Sequence, residues 1–401
     1  MVMNPVTGLD VAKEESQVQA YLQRKKPYKG SFKFKHNTDG LRDFYTFYQE
    51  VNQLCGESPK VISESTGHYH EPVIQFLERN KIIYFLVNPI VSHGAKQTGM
   101  RKVKTDAMDA AHLCELYYKE DLIPYQKNSE QILNLRHLTR QHDALTDSYV
   151  EIKLKFQTVL DQLFPEYKTV FGSIYSIVSL RILLDFPTPE TVLVTDMEKL
   201  AESIKNYCHT RSFSWAMEKA TRLREAALRD PFQQTIYQSP IISLKMYIKL
   251  LIEYQEHLSV LKEEIDAQAK GVDEYDLIRS IPGIGDKIAA TILSEIGGIE
   301  RFNHPKKLVA FSGIDPRVHE SGKFKATQNR MTKRGSSKLR QALYTAVICG
   351  LRKSRNTKLI AFYQSKREEG KPHKVAMGAC MNKLIHWMFY MLKRKETFIE
   401  A

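Results

Sequence analysis

Two aspartates, Asp106 and Asp109, stand three residues apart in RKVKTDAMDAAHL, at what reads as the start of a helix. Side chains at that spacing are neighbours on one helical face, and like charges there repel unless something positive sits between them. A divalent cation would do this. So would the positive end of a solvated helix, which favours anions through its macrodipole. Two further carboxylates close short apolar runs: Asp10 in GLDVAK and Glu64 in ISEST. In an α/β sheet, strand ends and the starts of following helices meet at one edge, where sites form. Four carboxylates gathered there could not all stay ionised without a counter-charge. Hard oxygen donors suit Mg2+ or Mn2+ rather than zinc, and such ions stabilise the attacking and leaving oxygens of a phosphodiester. The expected metal and catalytic set is therefore Asp10, Glu64, Asp106 and Asp109. Each of these acids alone reads by default as a solvated surface residue. His68 and His70, in GHYH, form a strand-spaced pair that reads as structural or substrate-facing rather than as metal ligands.

The back half carries different chemistry. In IPGIGDKIAATIL the turn at Gly283 and Gly285 opens a helix bearing Lys287, so backbone N–H groups point outward at a positive helix end. That geometry holds a phosphate without reading bases. It is the pattern of a helix-hairpin-helix, or of a plain helical corner. Farther on, Ser321 precedes Gly322 in HESGK, and Lys323, Lys325, Lys333, Arg334, Lys338 and Arg340 crowd the same stretch. A serine can attack a phosphodiester where cations stabilise the developing charge and something accepts its proton. A Ser-Gly pair is also an ordinary turn. Ser312, Ser336 and Ser337 compete on equal terms, and Ser337 would serve as a helix cap.

Elements must position these residues. In residues 5 to 125 three alternating strands precede a helix with apolar residues at Leu41, Phe44, Phe47, Val51 and Leu54. KVISEST and IIYFLVNP follow as buried strands, and the segment from Asp106 as a helix. This is the element order of an RNase H-like α/β domain. Leu135, Leu138, His142, Leu145, Tyr149, Ile152, Phe156, Val159 and Leu163 keep heptad-like spacing, as do Tyr247, Leu251, Tyr254, Leu258, Leu261 and Ile265. Long helices result, packed as a coiled coil or as an intramolecular bundle. From Asp273 the chain is mostly helical again.

Composition sets the class. The chain has 401 residues, 42% hydrophobic and 26% charged, ordinary values for a folded multidomain protein. Its net charge of +13 is uneven: residues 301–401 hold 23 Lys and Arg against 6 Asp and Glu, whereas the first 300 are net −4. That asymmetry points to a polyanion, most simply nucleic acid. No apolar run spans a bilayer, the opening MVMNPVTGLDVAK lacks a signal-peptide pattern, and five scattered cysteines without CxxC fit a reducing compartment. The expectation is a cytoplasmic protein with no membrane partner.

Taken together, GLDVAK, ISESTGHYHEP, FLVNP and KTDAMDAAHL at the front, with IPGIGDKIAATILSEIGGIERF, KLVAFSGIDP, ESGK and TKRGSSKLRQAL at the back, resemble the DEDD transposases of bacterial insertion sequences, which include the Piv and MooV DNA invertases. The resemblance implies a RuvC-like catalytic domain over 1–125, a helical coiled-coil region over 126–272, and a C-terminal transposase domain over 273–401. It implies Mg2+ or Mn2+ held by Asp10, Glu64, Asp106 and Asp109. It further implies that Ser321 attacks DNA to form a 5′-phosphoserine link, with donor and target DNA paired to a non-coding bridge RNA and dimers joining into a tetramer. The middle section departs from common forms by extra helices between the heptad runs. Two other readings remain: a RuvC-like nuclease that uses water, and a non-catalytic nucleic-acid binder.

Overall fold

A computed structural model describes residues 4–65, 67–87, 89, 92, 105–122, 124–125, 128–232, 238–317, 320–321, 324–325, 330–352 and 355–399. The chain divides into two compact units, Met1–Lys127 and Asn128–Ala401.

The first unit is a five-stranded mixed sheet. Strands β1 (Val6–Val11), β2 (Glu15–Gln23) and β3 (Lys26–Lys35) come first, then helix α1 (Thr38–Cys55). After it come β4 (Lys60–Glu64), α2 (Glu71–Arg79), β5 (Tyr84–Val87) and α3 (Asp106–Lys119). The sheet order is β3-β2-β1-β4-β5, antiparallel across β1 to β3 and parallel from β1 through β4 to β5. This order fits the RNase H-like arrangement expected from the element sequence.

Alternation along each strand divides the core into two faces. Leu9 and Val11 pack with Phe44, Val51 and Leu77 beneath α1 and α2. Val6, Ile62, Phe85 and Val87 pack with Leu113, Cys114 and Leu116 of α3 on the other side. Glycine is required at position 8: a Cβ there would lie 2.2 Å from the Ala110 carbonyl oxygen and 2.9 Å from the Cys114 sulfur. That absence of a side chain lets α3 lie directly on β1.

The second unit is helical. Its spine is a pair of long helices, α4 (Glu130–Leu163) and α9 (Ser239–Lys270). They run antiparallel: Gln131 donates to the Gln268 carbonyl and Tyr149 stacks on Tyr254. The two heptad-like runs thus partner each other within one chain. At one end of the spine, α5 (Ile177–Asp185), α6 (Pro189–Leu193), α7 (Met197–Tyr207) and α8 (Phe213–Arg229) close one core around Phe156, Tyr167 and Leu223.

At the other end a second core gathers Leu135 and Ile265 from the spine with the C-terminal helices. These are α10 (Tyr275–Arg279), α11 (Asp286–Ile296), α12 (Pro305–Ser312), α13 (Ser337–Gly350), α14 (Thr357–Glu368) and α15 (His373–Arg394). A two-stranded hairpin, β6 (Glu320–Ser321) with β7 (Phe324–Lys325), lies between α12 and α13. No described helix is long and apolar enough to cross a membrane.

Candidate functional site

The four acids are brought to one edge by register. β1 and β4 pair in parallel with Leu9 opposite Ser63, so the next residues, Asp10 and Glu64, end neighbouring strands. Alternation assigns both to the face that α3 covers, because Val6 and Ile62, four and two residues earlier, pack against that helix. Helix α3 runs antiparallel to β1: Cys114 lies by the Val6 carbonyl and Ala110 over Gly8. Its first turn, with Asp106 and Asp109, therefore comes to the Asp10 end of the strand. Thr105 caps this helix by accepting from the Met108 N–H, which fixes where the turn begins.

Lys33 joins this edge, a residue the spacing arguments passed over. Asp10 pairs with Gln17 and Gln17 with Lys33, so the three form one row across the sheet. The Lys33 ammonium lies 3.3 Å from Asp106 and 2.6 Å from Glu15. The alternation in GSFKFKHN was the available signal: Phe32 and Phe34 pack on the α1 face, which turns Lys33 to the α3 face. Glu64 is 8% exposed, whereas the Asp106 side chain is 59% exposed. Among the described residues no group of three or more His, Cys, Asp or Glu side chains is drawn together as a metal site. The acids share an edge, with Asp106 directed to Lys33. His68 and His70 follow β4, and His68 lies against the ring of Tyr69.

In the second unit the expected phosphate-contacting residues divide. Gly283, at φ +100°, packs against the backbone of Gly350 at the end of α13, where a Cβ would fall 2.5 Å from the Gly350 Cα. Its role in this structure is close packing. Gly285 opens α11 with free space around its Cα, as the outward-facing turn requires. Lys287 and Lys338 converge on Asp143 of α4, at 2.6 and 3.3 Å. Burial works to raise the Asp143 carboxyl, but the hydrogen bonds and charges of these lysines hold it below the usual aspartate range. Arg340 donates to the Ser312 carbonyl at 3.0 Å. These three cations brace the unit, whereas Lys333 and Arg334 are exposed. Lys323 lies outside the described residues, and Lys325 is described only as a strand position opposite Glu320.

Two of the competing serines, Ser312 and Ser336, have structural duties, whereas Ser337 is exposed in the first turn of α13. Ser312 is buried and donates to the Val309 carbonyl. Ser336, rather than Ser337, caps α13, accepting from the Leu339 N–H and donating to Glu295 at 2.8 Å. One residue decides this, because the cap must have non-helical backbone while its carbonyl already receives the first helical bond. Glu295 is 2% exposed and also takes a two-pronged contact from Arg140 at 2.7 and 3.1 Å. Ser321 stands in β6, opposite Phe324. The root of its excursion is tied by the Pro316–Met331 bridge, by Arg317 N–H to the Arg330 carbonyl, and by Thr332 to Asp315.

Residues 7–165, which contain all four acids, match a transposase family model of the DEDD type. Residues 275–364, which contain Ser321, match the model of the transposase IS116/IS110/IS902 family. The chain is 22% identical over 302 residues to an insertion element IS116 protein of Streptomyces clavuligerus, covering 74% of this chain and 73% of that one. It is 23% identical over 367 residues to the pilin gene-inverting protein of Moraxella bovis, covering 91% and 89%. Over 149 residues it is 30% identical to the transposase for insertion sequence element IS1111A of Coxiella burnetii, covering 37% and 41%.

Proposed function

The chain belongs to the IS116/IS110/IS902 transposase family of DNA-recombining enzymes, and from that premise we propose that it is a site-specific recombinase using a carboxylate site in the first unit and a serine nucleophile in the second. The observation that carries this reading is the convergence of Asp10 and Glu64 on neighbouring parallel strand ends beneath the first turn of α3.

Asp10, Glu64, Asp106 and Asp109 would hold Mg2+ or Mn2+. All four are carboxylates, the donor set that hard divalent ions prefer. A bound ion would supply charge stabilisation to the reacting phosphate. Asp106 would exchange its contact with the Lys33 ammonium for the ion.

Ser321 is the proposed nucleophile. Its Oγ forms a bond to phosphorus while the bond from phosphorus to the 3′-oxygen breaks. The hydroxyl proton passes to solvent and the departing 3′-oxygen takes up another. The product is a 5′-phosphoserine link and a free 3′-hydroxyl, and the reverse attack rejoins strands. The capping and buried duties of Ser336 and Ser312 favour Ser321 over those two serines.

The remaining parts of this reading extend the family premise: a guide RNA bridging donor and target DNA, dimers assembling into a tetramer, and cytoplasmic action. The long helices serve as the coiled-coil region of 126–272, between a RuvC-like domain of 1–125 and a transposase domain of 273–401. The α10–α11 corner acts as a helix-hairpin-helix on DNA backbone, through Gly285 and the first turn of α11.

Ser321→Ala tests the nucleophile. Denaturing gels of end-labelled donor DNA should show a protein-bound product for the parent chain and none for the variant, while both bind DNA. Metal-dependent cleavage without any adduct would replace this mechanism with a water-using nuclease. An undiminished adduct from Ser321→Ala would move the nucleophile elsewhere.

A further inference from the structure

The second unit holds a large groove of about 1320 Å³, walled by the two chain segments at the root of the Ser321 excursion and by α14 and α15. Its cationic lining includes Arg317, Arg330, Lys333, Lys374 and Lys383. No acidic side chain lines it among the described residues. Arg317, Arg330, Lys333 and Lys374 have no carboxylate partner among the described residues, and all four are exposed. In this they differ from Lys287 and Lys338, which both pair with Asp143. Lys383 is held over the ring of Phe362.

The floor is not cationic. Met331, Phe362, Val375 and Ala379 make it apolar, and the bare Cα of Gly378 leaves room for the Met331 side chain. Two chemistries thus share one trough: cations that meet phosphates and an apolar floor that meets base faces. A duplex buries its base faces within its own stack, so the floor would find nothing on it to contact. An unpaired strand presents both surfaces, which is how grooves for single-stranded nucleic acid work.

Chain length ties the groove to the serine. Ser321 is four residues beyond Arg317, so it stands no more than about 14 Å along the chain from the groove wall. We propose that this groove seats an unpaired nucleic-acid strand and presents it to the Ser321 hairpin, with Lys374 and Lys383 on its phosphates and Phe362 against a base. The groove explains why the positive charge is concentrated after residue 300 beyond what internal ion pairs absorb. The link to Ser321 rests on the serine reading above; strand binding does not.

The test uses the full chain and fluorescein-labelled 20-nucleotide single-stranded DNA, RNA of the same sequence, and the matching DNA duplex, followed by anisotropy across a salt series. Lys374→Gln with Lys383→Gln should weaken single-strand binding at least tenfold. It should also lower the steepness of the log–log salt dependence by roughly 1.4, as expected for two lost phosphate contacts on a single strand. Gly378→Leu fills the floor without changing charge, on a helix where leucine is the better former; it too should weaken single-strand binding, leaving duplex affinity within about twofold. The DNA and RNA arms show which strand the groove accepts. Unchanged single-strand binding in both variants, or an equal loss on duplex, overturns the proposal. The covalent-adduct gel separates the two readings. Groove variants that lose strand binding while the parent forms no adduct would leave the groove standing and remove the serine. Groove variants that bind and attach normally would remove the groove alone.

Discussion

Asp10 and Glu64 stand on neighbouring strands because β1 and β4 share a register, which allows them few alternatives. The cations of the second unit come from separate helices and a hairpin root, and each had to be sorted by its neighbours. Lys287 and Lys338 point to Asp143, Arg340 to a carbonyl, and Arg317, Arg330 and Lys374 to an open groove. The contrast shows two ways of building a charged site. A strand edge places charges through periodicity, since a shift of one residue would turn every side chain to the other face. A helical unit places them through packing, so cations near one another in sequence acquire different duties.

The sharpest way to break this comparison is at the strand ends. Asp10→Ala or Glu64→Gln should each reduce metal-dependent cleavage by about a thousandfold, several kcal/mol of transition-state stabilisation, with thermal unfolding little changed. Cleavage assays over a range of Mg2+ concentration would show it. A loss smaller than tenfold at either position would mean that the edge is not the reacting site.

Glu295 is the corresponding buried charge in the helical unit. Removing one partner of a buried ion pair costs about 3–5 kcal/mol. Arg140 is 53% exposed and can turn to solvent, so Glu295→Ala should cost about 2 kcal/mol in a urea unfolding curve. The strand-edge acids should show no comparable stability effect, which separates a structural charge from a reacting one.

Position 8 connects packing with the acidic edge. Gly8→Val should destabilise the first unit by about 1–3 kcal/mol through overpacking against Ala110. It should also lower cleavage by moving the α3 turn that carries Asp106 and Asp109. A variant that unfolds earlier yet cleaves normally once folded would uncouple α3 from the site.

The smallest effect is one of pH. Burial works to raise the Glu295 carboxyl, but Arg140, the Ser336 hydroxyl and Arg136 together hold it below the ordinary glutamate value. Its stabilisation is therefore complete above the unfolded value of about 4.3 and is lost as pH falls through the depressed folded value. Asp143, held low by Lys287 and Lys338, acts in the same direction. Unfolding midpoints measured from pH 6 to 3 should fall on the acid side, and the fall should be shallower for Glu295→Gln.

Much of the first unit was legible in the sequence. The short apolar runs in GLDVAK and ISEST, and the helical reading from Asp106, put the acids on recognisable elements because strand and helix patterns are local properties. Lys33 went unnoticed because its meaning lies across three strands. The long helices were legible in their heptad-like spacing, but that spacing does not distinguish a partner within the chain from one outside it. Folding decided that α4 and α9 pair with each other. The capping serine was misplaced by one residue because Ser336 and Ser337 are chemically alike and only backbone geometry separates them.

The amino-acid order alone determined the element types, the positions of four carboxylates at strand and helix ends, and the excess of positive charge after residue 300. These follow from short-range periodicity and from counting. Only the tertiary structure decided which cations are neutralised and which remain available. An ion pair depends on distances between residues far apart in the chain, as with Asp143 and Lys287, and no local pattern encodes those distances.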